Sequence, residues 1–140
     1  MAEISDVQVT FAPYGQTLQP AHVSATLGLV PEHAHAVGDP HPIRTQPGLR
    51  WRNGAWLLES RQSASAPLDA HLRDVLDRLD PQAVQLLLGE GLTASFRVAC
   101  WVKASQEGTT IAPETLQRIA RLGGDLGLTI YLDMDDTPAG

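Results

Sequence analysis

The chain has 140 residues, the usual size of one domain that can bury a core of its own. Hydrophobic residues make up 43% of it and charged residues 19%, which excludes an intrinsically disordered chain. A net charge of −6 argues against non-specific nucleic-acid binding and against an anionic membrane partner, because both need a basic surface.

The first predicted element is a β-strand, in which apolar residues recur at every second position. Val7, Val9 and Phe11 alternate with polar residues, which is the pattern of a half-buried strand. A helix then starts at Pro20, because proline loses no hydrogen bond at a first helical position. Gly28 ends this helix about two turns later.

The middle of the chain is the most irregular part. Prolines 31, 40, 42 and 47 leave room only for short extended pieces, one of them near 34–38. A β-hairpin is predicted next, because Asn53-Gly54 suits a type I′ turn, whose two central residues need positive φ. Its strands would be 49–52 and 55–60.

The second half alternates helical and extended segments. A stripe of apolar residues at helical spacing predicts the longest helix, which Asp80-Pro81 separates from a second, shorter one. Two segments of period two predict further strands, with a proline-led helix between them. In chain order these elements are helices at 68–79 and 81–88, a strand at 96–102, a helix at 113–122 and a strand at 126–132.

The two ends of the chain resemble each other. The segments TLQPAHVSATLGL and TIAPETLQRIARLGG share a threonine, a proline at the same offset and Leu-Gly near the helix end. Each follows a strand and precedes an extended segment, so two β-α-β units flank the hairpin and the helix pair. This order predicts an α+β two-layer sandwich whose helices cover one face of a sheet of about five to six strands. The sheet would be mixed or mostly antiparallel, and ferredoxin-like pairing is the nearest common architecture.

Five segments in a fixed order extend over nearly the whole chain. They are TLGLVP at 26–31, VGDP at 37–40, GAWLLES at 54–60, LDAHLRDVLDRL at 68–79 and IAPETLQRIARLG at 111–123. Together they resemble a small bacterial family, domain of unknown function 4279. The resemblance implies a compact α+β fold and no agreed activity.

One domain over 1–140 is expected, with 1–5 and 134–140 frayed. Cys100 is the only cysteine, which excludes an intrachain disulfide and a cysteine-based zinc site. The first residues lack the basic start and apolar core of a signal peptide, so a cytoplasmic location is the default. No phosphate-binding glycine loop or dinucleotide fingerprint is present, and no cofactor is expected.

Three histidines and an aspartate lie within the segment HAHAVGDPHP at 33–42. On a strand His33 and His35 would project from one face, and Asp39 or His41 would supply further ligands for a metal ion. A metal-binding protein or metal-dependent hydrolase is therefore one hypothesis, although the spacing matches no specific zinc motif. The alternative is a strand that runs into a proline-stiffened loop, with Asp39 accepting backbone N–H bonds in a turn.

Tryptophans and arginines supply a second set of candidates. The three tryptophans would form a stacking surface if they lay on one side of the sheet, with packing in the core or at a dimer contact as the alternative. An arginine on the same strand face as a tryptophan would mark an interface, and an arginine paired with Asp39 would mark a pocket mouth. The candidate binding residues are Asp39, Arg50, Trp51, Trp56, Arg97 and Trp101.

No catalytic constellation can be recognised. Serines 60, 63 and 65 resemble a loop and a helix start, and His22 and His71 lie in predicted helices as solvent-facing or rim residues. The leading hypothesis is a non-enzymatic binding or interaction module with an unknown protein or small-molecule partner. Such a module could also form a homodimer through a sheet edge or an aromatic face.

Overall fold

The computed structural model describes residues 2–3, 6–42, 48–103 and 107–132. Within these residues four helices accompany an open, mixed sheet of five strands, and two short strands pair beside it. This architecture confirms the predicted α+β fold and is consistent with a two-layer sandwich. No helix in the described ranges has the length and apolar character needed to cross a membrane.

Eleven elements follow one another along the described chain. They are β1 (Ala2–Glu3), β2 (Asp6–Gly15), α1 (Pro20–Leu27), β3 (His33–His35), β4 (Gly54–Glu59), α2 (Leu68–Arg78), α3 (Pro81–Gly89), β5 (Thr93–Val102), β6 (Glu107–Gly108), α4 (Pro113–Leu122) and β7 (Asp125–Leu132). The predicted helices and all but one of the predicted strands are present within a few residues of their expected positions.

The main sheet has the strand order β3-β4-β2-β5-β7. Each neighbouring pair among β3, β4, β2 and β5 is antiparallel, and β7 runs parallel to β5. The chain passes from β2 through α1 to β3, and β4 lies between these two strands in the sheet. It then passes from β4 through α2 and α3 to β5, and β2 lies between those two strands. The two connections therefore interleave. The last unit, β5-α4-β7, places its strands side by side and makes β7 an edge of the sheet.

The core lies between one face of the sheet and the helices. Alternate residues of the central strands are buried there, as the period-two pattern predicted. The rings of Phe11 and Phe96 pack with their centroids 5.1 Å apart. The buried residues of the sheet include Val7, Val9, Phe11, Trp56, Leu58, Phe96, Val98 and Cys100, and those of the helices include Val23, Leu72, Val75, Leu87 and Ile119.

The hairpin predicted at 49–60 is wrong. Neither Asn53 nor Gly54 has positive φ, so no type I′ turn forms. β4 pairs instead with β2 and β3, which occupy both of its edges. The residues before it turn back on the preceding loop, where Arg50 forms an isolated bridge with Pro40. Two long-range partners for β4 outweigh the local preference of Asn-Gly for a turn.

Gly54 is required for close packing rather than for a turn. A Cβ at this position would lie 2.9 Å from the carbonyl oxygen of Leu18 and 3.2 Å from that of Gly15. We expect Gly54→Ala to lower the free energy of unfolding by about 1–3 kcal/mol, because backbone atoms must move to admit the methyl group. Urea denaturation measures this change. Gly89→Ala is the control, since open space surrounds its Cβ, and an equal loss there would contradict the prediction.

His71 was predicted to be a solvent-facing or rim residue, and that prediction is wrong. Its imidazole is completely buried. Its Nδ1 lies 2.6 Å from Ser60 Oγ and its Nε2 lies 2.9 Å from the carbonyl oxygen of Ser63. The hydrogen bonds repay the cost of burying a polar ring, which amphipathic spacing alone does not reveal.

Candidate functional site

An open cleft of about 700 Å³ lies on the face of the sheet opposite the helices. Its floor is formed by strand residues whose side chains alternate with those of the core. Its wall is formed by the loop between β3 and β4. The lining residues are Tyr14, His35, His41, Leu49, Arg50, Trp51, Arg52, Asn53, Ala55, Leu57 and Arg97.

Three rings form a stack in the wall of the cleft. The His35 ring lies 3.7 Å from the Trp51 ring, centroid to centroid, and nearly parallel to it. The His41 ring lies 3.9 Å from the same indole at an angle of 35°. Two imidazoles this close to one indole would overlap on a single face, so they lie on opposite faces of Trp51. We call His35, Trp51 and His41 the ring stack.

Backbone hydrogen bonds hold the ring stack in place. Gly38 N–H donates to the Trp51 carbonyl, and Trp51 N–H donates to the Asp39 carbonyl. The Asp39 carboxylate accepts the Ala36 N–H at 2.8 Å, as the turn interpretation of this aspartate predicted. Arg50 Nη1 donates to the Gly38 carbonyl at 3.2 Å, so this arginine supports the loop and forms no ion pair with Asp39.

Among the described residues, three arginines line the cleft and no acidic residue does. Arg50, Arg52 and Arg97 are exposed and form no ion pair with any described carboxylate. The Arg97 guanidinium carbon lies 5.7 Å from the centre of the Tyr14 ring, which is a cation–π contact. The cleft is therefore a cationic site in a protein whose net charge is −6.

Burial lowers the pKa of His35, and the nearby His41 ring lowers it further, while Asp39 and a backbone hydrogen bond at Asn53 oppose the change. The imidazole is therefore neutral at neutral pH. A neutral ring stacks on Trp51 without the cost of burying a charge. Protonation of His35 at lower pH would add a fourth positive charge beside the three arginines.

The histidine-rich segment does not form a metal centre in the described structure. Among the described residues, no group of three or more histidine, cysteine, aspartate or glutamate side chains could hold a metal ion. The indole of Trp51 lies between His35 and His41, whereas two ligands of one ion lie within about 4 Å of each other. His33 is exposed on β3.

The three tryptophans do not share one side of the sheet. Trp56, a candidate binding residue, is completely buried in the core, and its Nε1 donates to Ser24 Oγ at 2.9 Å. Trp101 lies on the open face of β5, where its ring stacks on Tyr131 at 5.3 Å. It shares that face with Arg97 but does not line the cleft. Of the tryptophans, Trp51 alone belongs to the cleft.

Several lining residues were not among the sequence candidates. Tyr14, Leu57 and Arg52 line the cleft, and the two histidines enter it as stacking rings rather than as metal ligands. Side chains alternate between the two faces of a strand, so the sequence could have placed Tyr14 and Leu57 on the face opposite the core. The alternation of side chains along a strand does not reveal that β2, β4 and β5 are neighbours in the sheet. The cleft exists only because they are.

Comparison with known proteins identifies a family of unknown function. No curated protein and no solved structure has significant similarity to the chain. One family model, described as "Domain of unknown function (DUF4279)", matches residues 4–133 and thus nearly the whole chain. The chain therefore belongs to the DUF4279 family.

Proposed function

We propose that this protein is a binding module whose cleft takes a small organic anion, a carboxylate or phosphate attached to an apolar body. The observation that carries the proposal is the grouping of aromatic rings with three arginines that pair with no described carboxylate, in a cleft whose described lining contains no acidic residue. A cleft of about 700 Å³ is within the usual size of a small-molecule site.

The charge of the cleft supports an anionic ligand. Of the five described arginines outside it, three pair with aspartates at 2.9–3.1 Å: Arg73, Arg78 and Arg118. Arg50 uses one donor on the Gly38 carbonyl, whereas the guanidinium groups of Arg52 and Arg97 keep their donors available. The planar fork of a guanidinium fits a carboxylate or phosphate with two parallel hydrogen bonds. The net negative charge of the rest of the protein would direct an anion towards this cationic region.

The apolar part of the lining supports an organic ligand rather than an inorganic ion. Tyr14, Ala55 and Leu57 form an apolar floor on the sheet, and the ring stack forms a rigid aromatic wall beside it. Rings and aliphatic groups contribute affinity by burying a ligand's apolar body, while the arginines fix its charged end.

Nuclear magnetic resonance titration with simple probes tests the proposal. Benzoate and phenyl phosphate each carry an anionic group on a ring, and benzamide is the neutral counterpart. We expect both anions, or one of them, to shift the amide resonances of 50–53 and the Trp51 indole resonance, and benzamide to leave them unchanged. The comparison of the two anions shows whether the cleft prefers a carboxylate or a phosphate.

A matched pair of arginine variants locates the binding. Arg97→Gln is expected to weaken anion binding by roughly tenfold or more, because a charged hydrogen-bond donor is lost. Arg121→Gln, an exposed arginine of α4 outside the cleft, should leave the affinity unchanged. Equal binding of benzamide, or equal losses in the two variants, would overturn the proposed function.

A further inference from the structure

β7 is an unprotected edge strand. It pairs only with β5 among the described strands, so the N–H and C=O groups on its outer side have no strand partner there. All eight of its residues are exposed. Its sequence, DLGLTIYL, contains no lysine, arginine or proline, the residues that usually prevent an edge strand from pairing with another chain.

The face of β7 on the helical side is apolar. Helix α4 does not cover it, and an apolar groove of about 300 Å³ lies between the strand and Ile111 and Leu116. With Tyr131 on the other face, large apolar side chains that are 39–70% exposed extend along this edge, and contiguous apolar patches of this kind mark protein–protein contacts. These side chains are Leu116, Leu126, Leu128, Ile130, Tyr131 and Leu132.

The occupant of this surface must match its chemistry. The hydrogen-bonding groups on the outer side of β7 require a strand as partner, and the leucines and Ile130 beside them require apolar side chains. The occupant is therefore apolar and able to pair with a strand edge.

We propose that β7 pairs antiparallel with β7 of a second copy of the chain, so that the two sheets form one continuous sheet of ten strands. The strand is complementary to itself, because its apolar residues are at positions 126, 128, 130 and 132. Antiparallel pairing about a two-fold axis at Leu128 sets Leu126 opposite Ile130 and Leu128 opposite its own copy.

This pairing also avoids charge repulsion between two acidic chains. Asp125 is the only charged residue of β7, and in the same register it faces Tyr131 of the second copy rather than another carboxylate. The cleft on the open face is lined by β2, β3, β4, β5 and the loop between β3 and β4, and none of its described lining residues belongs to β7. The dimer and the anion site are thus independent inferences.

Analytical ultracentrifugation of the whole chain tests the dimer. We expect the wild type to sediment as a dimer, at twice the monomer mass of 15.1 kDa. Leu128→Lys should sediment as a monomer, because the two-fold axis would bring two charged amines together. Leu86→Lys is the matched control: Leu86 is 63% exposed on α3 and Leu128 is 59% exposed, so both variants should fold, as circular dichroism will verify.

Each result of these measurements either supports or overturns the proposed pairing through β7. A dimer that Leu128→Lys abolishes and Leu86→Lys preserves supports pairing through β7. A wild type of 15.1 kDa at millimolar concentration overturns it, and the surface would then belong to a different protein. A dimer that persists in Leu128→Lys, or that Leu86→Lys also abolishes, overturns it as well, because the interface would lie elsewhere.

Discussion

Replacing His71 with alanine is expected to lower the free energy of unfolding by about 3–5 kcal/mol, since the change combines a core cavity with lost hydrogen bonds. The geometry fixes the tautomer of the ring. The Ser63 carbonyl can only accept, so Nε2 carries the proton, and Nδ1 accepts from Ser60 Oγ. Ser60 Oγ in turn accepts the Val9 N–H at 3.3 Å. One imidazole therefore connects α2 to the residue that follows β4, through it to β2, and to the loop before α2.

Urea denaturation of matched variants measures this loss. His22→Ala is the control, because His22 is exposed and its contact with Glu90 at 2.9 Å is a surface ion pair worth at most about 1 kcal/mol. Equal stability losses in the two variants would contradict the assigned role of His71.

The same residue predicts how stability depends on pH. Burial lowers the pKa of His71 in the folded state, and the Ser63 carbonyl and Asp74 oppose this change only in part. The unfolded chain binds the proton at the ordinary pKa of about 6.5, so acid favours unfolding. The stability associated with the neutral ring is present above about pH 6.5 and is lost as the pH falls below it. Between about pH 7.5 and pH 5.5, the wild type should lose more stability than His71→Gln, and parallel curves would contradict this.

The second large effect is expected in the cleft. Trp51→Ala removes the central ring of the ring stack, so the aromatic wall of the cleft is lost. The affinity for an anionic aromatic probe should fall by roughly tenfold or more, because an aromatic contact contributes about 1–3 kcal/mol to binding. The core is not touched, since Trp51 is only half-buried and lies on the open face. Global stability should therefore change much less than in His71→Ala.

The titration of His35 provides a test of this arrangement that needs no ligand. Burial lowers the pKa of His35, and Trp51 covers one face of its ring. Removing the indole exposes the imidazole to water, so its pKa should rise towards about 6.5. Trp101→Ala is the control, because Trp101 is also a half-buried tryptophan of the open face but stacks on Tyr131 outside the cleft. A His35 pKa unchanged by Trp51→Ala would show that the stack is absent in solution.

Much of the fold follows from local sequence patterns. Period-two alternation at Val7, Val9 and Phe11 predicted both the strand and its buried face, and prolines 20, 81 and 113 predicted three helix starts. These signals act over a few residues and depend on backbone geometry, so they survive without knowledge of the rest of the chain. The order of elements then predicted helices on one face of the sheet, and the five motif segments indicated the family.

Tertiary structure decided which segments became neighbours. Asn53-Gly54 carried the local signal of a hairpin, yet β4 gained more from pairing with β2 and β3. His71 had the spacing of a rim residue, yet Ser60 and the Ser63 carbonyl offered partners that make its burial favourable.

The cleft and the exposed edge depend on the same long-range order. Arg97 of β5, Tyr14 of β2 and Trp51 of a loop meet only because the strand order brings their elements together. The sequence alone determined the helices, most of the strands and which strand faces are apolar. Only the tertiary structure decided which apolar faces are covered, because covering depends on contacts between residues far apart in the chain.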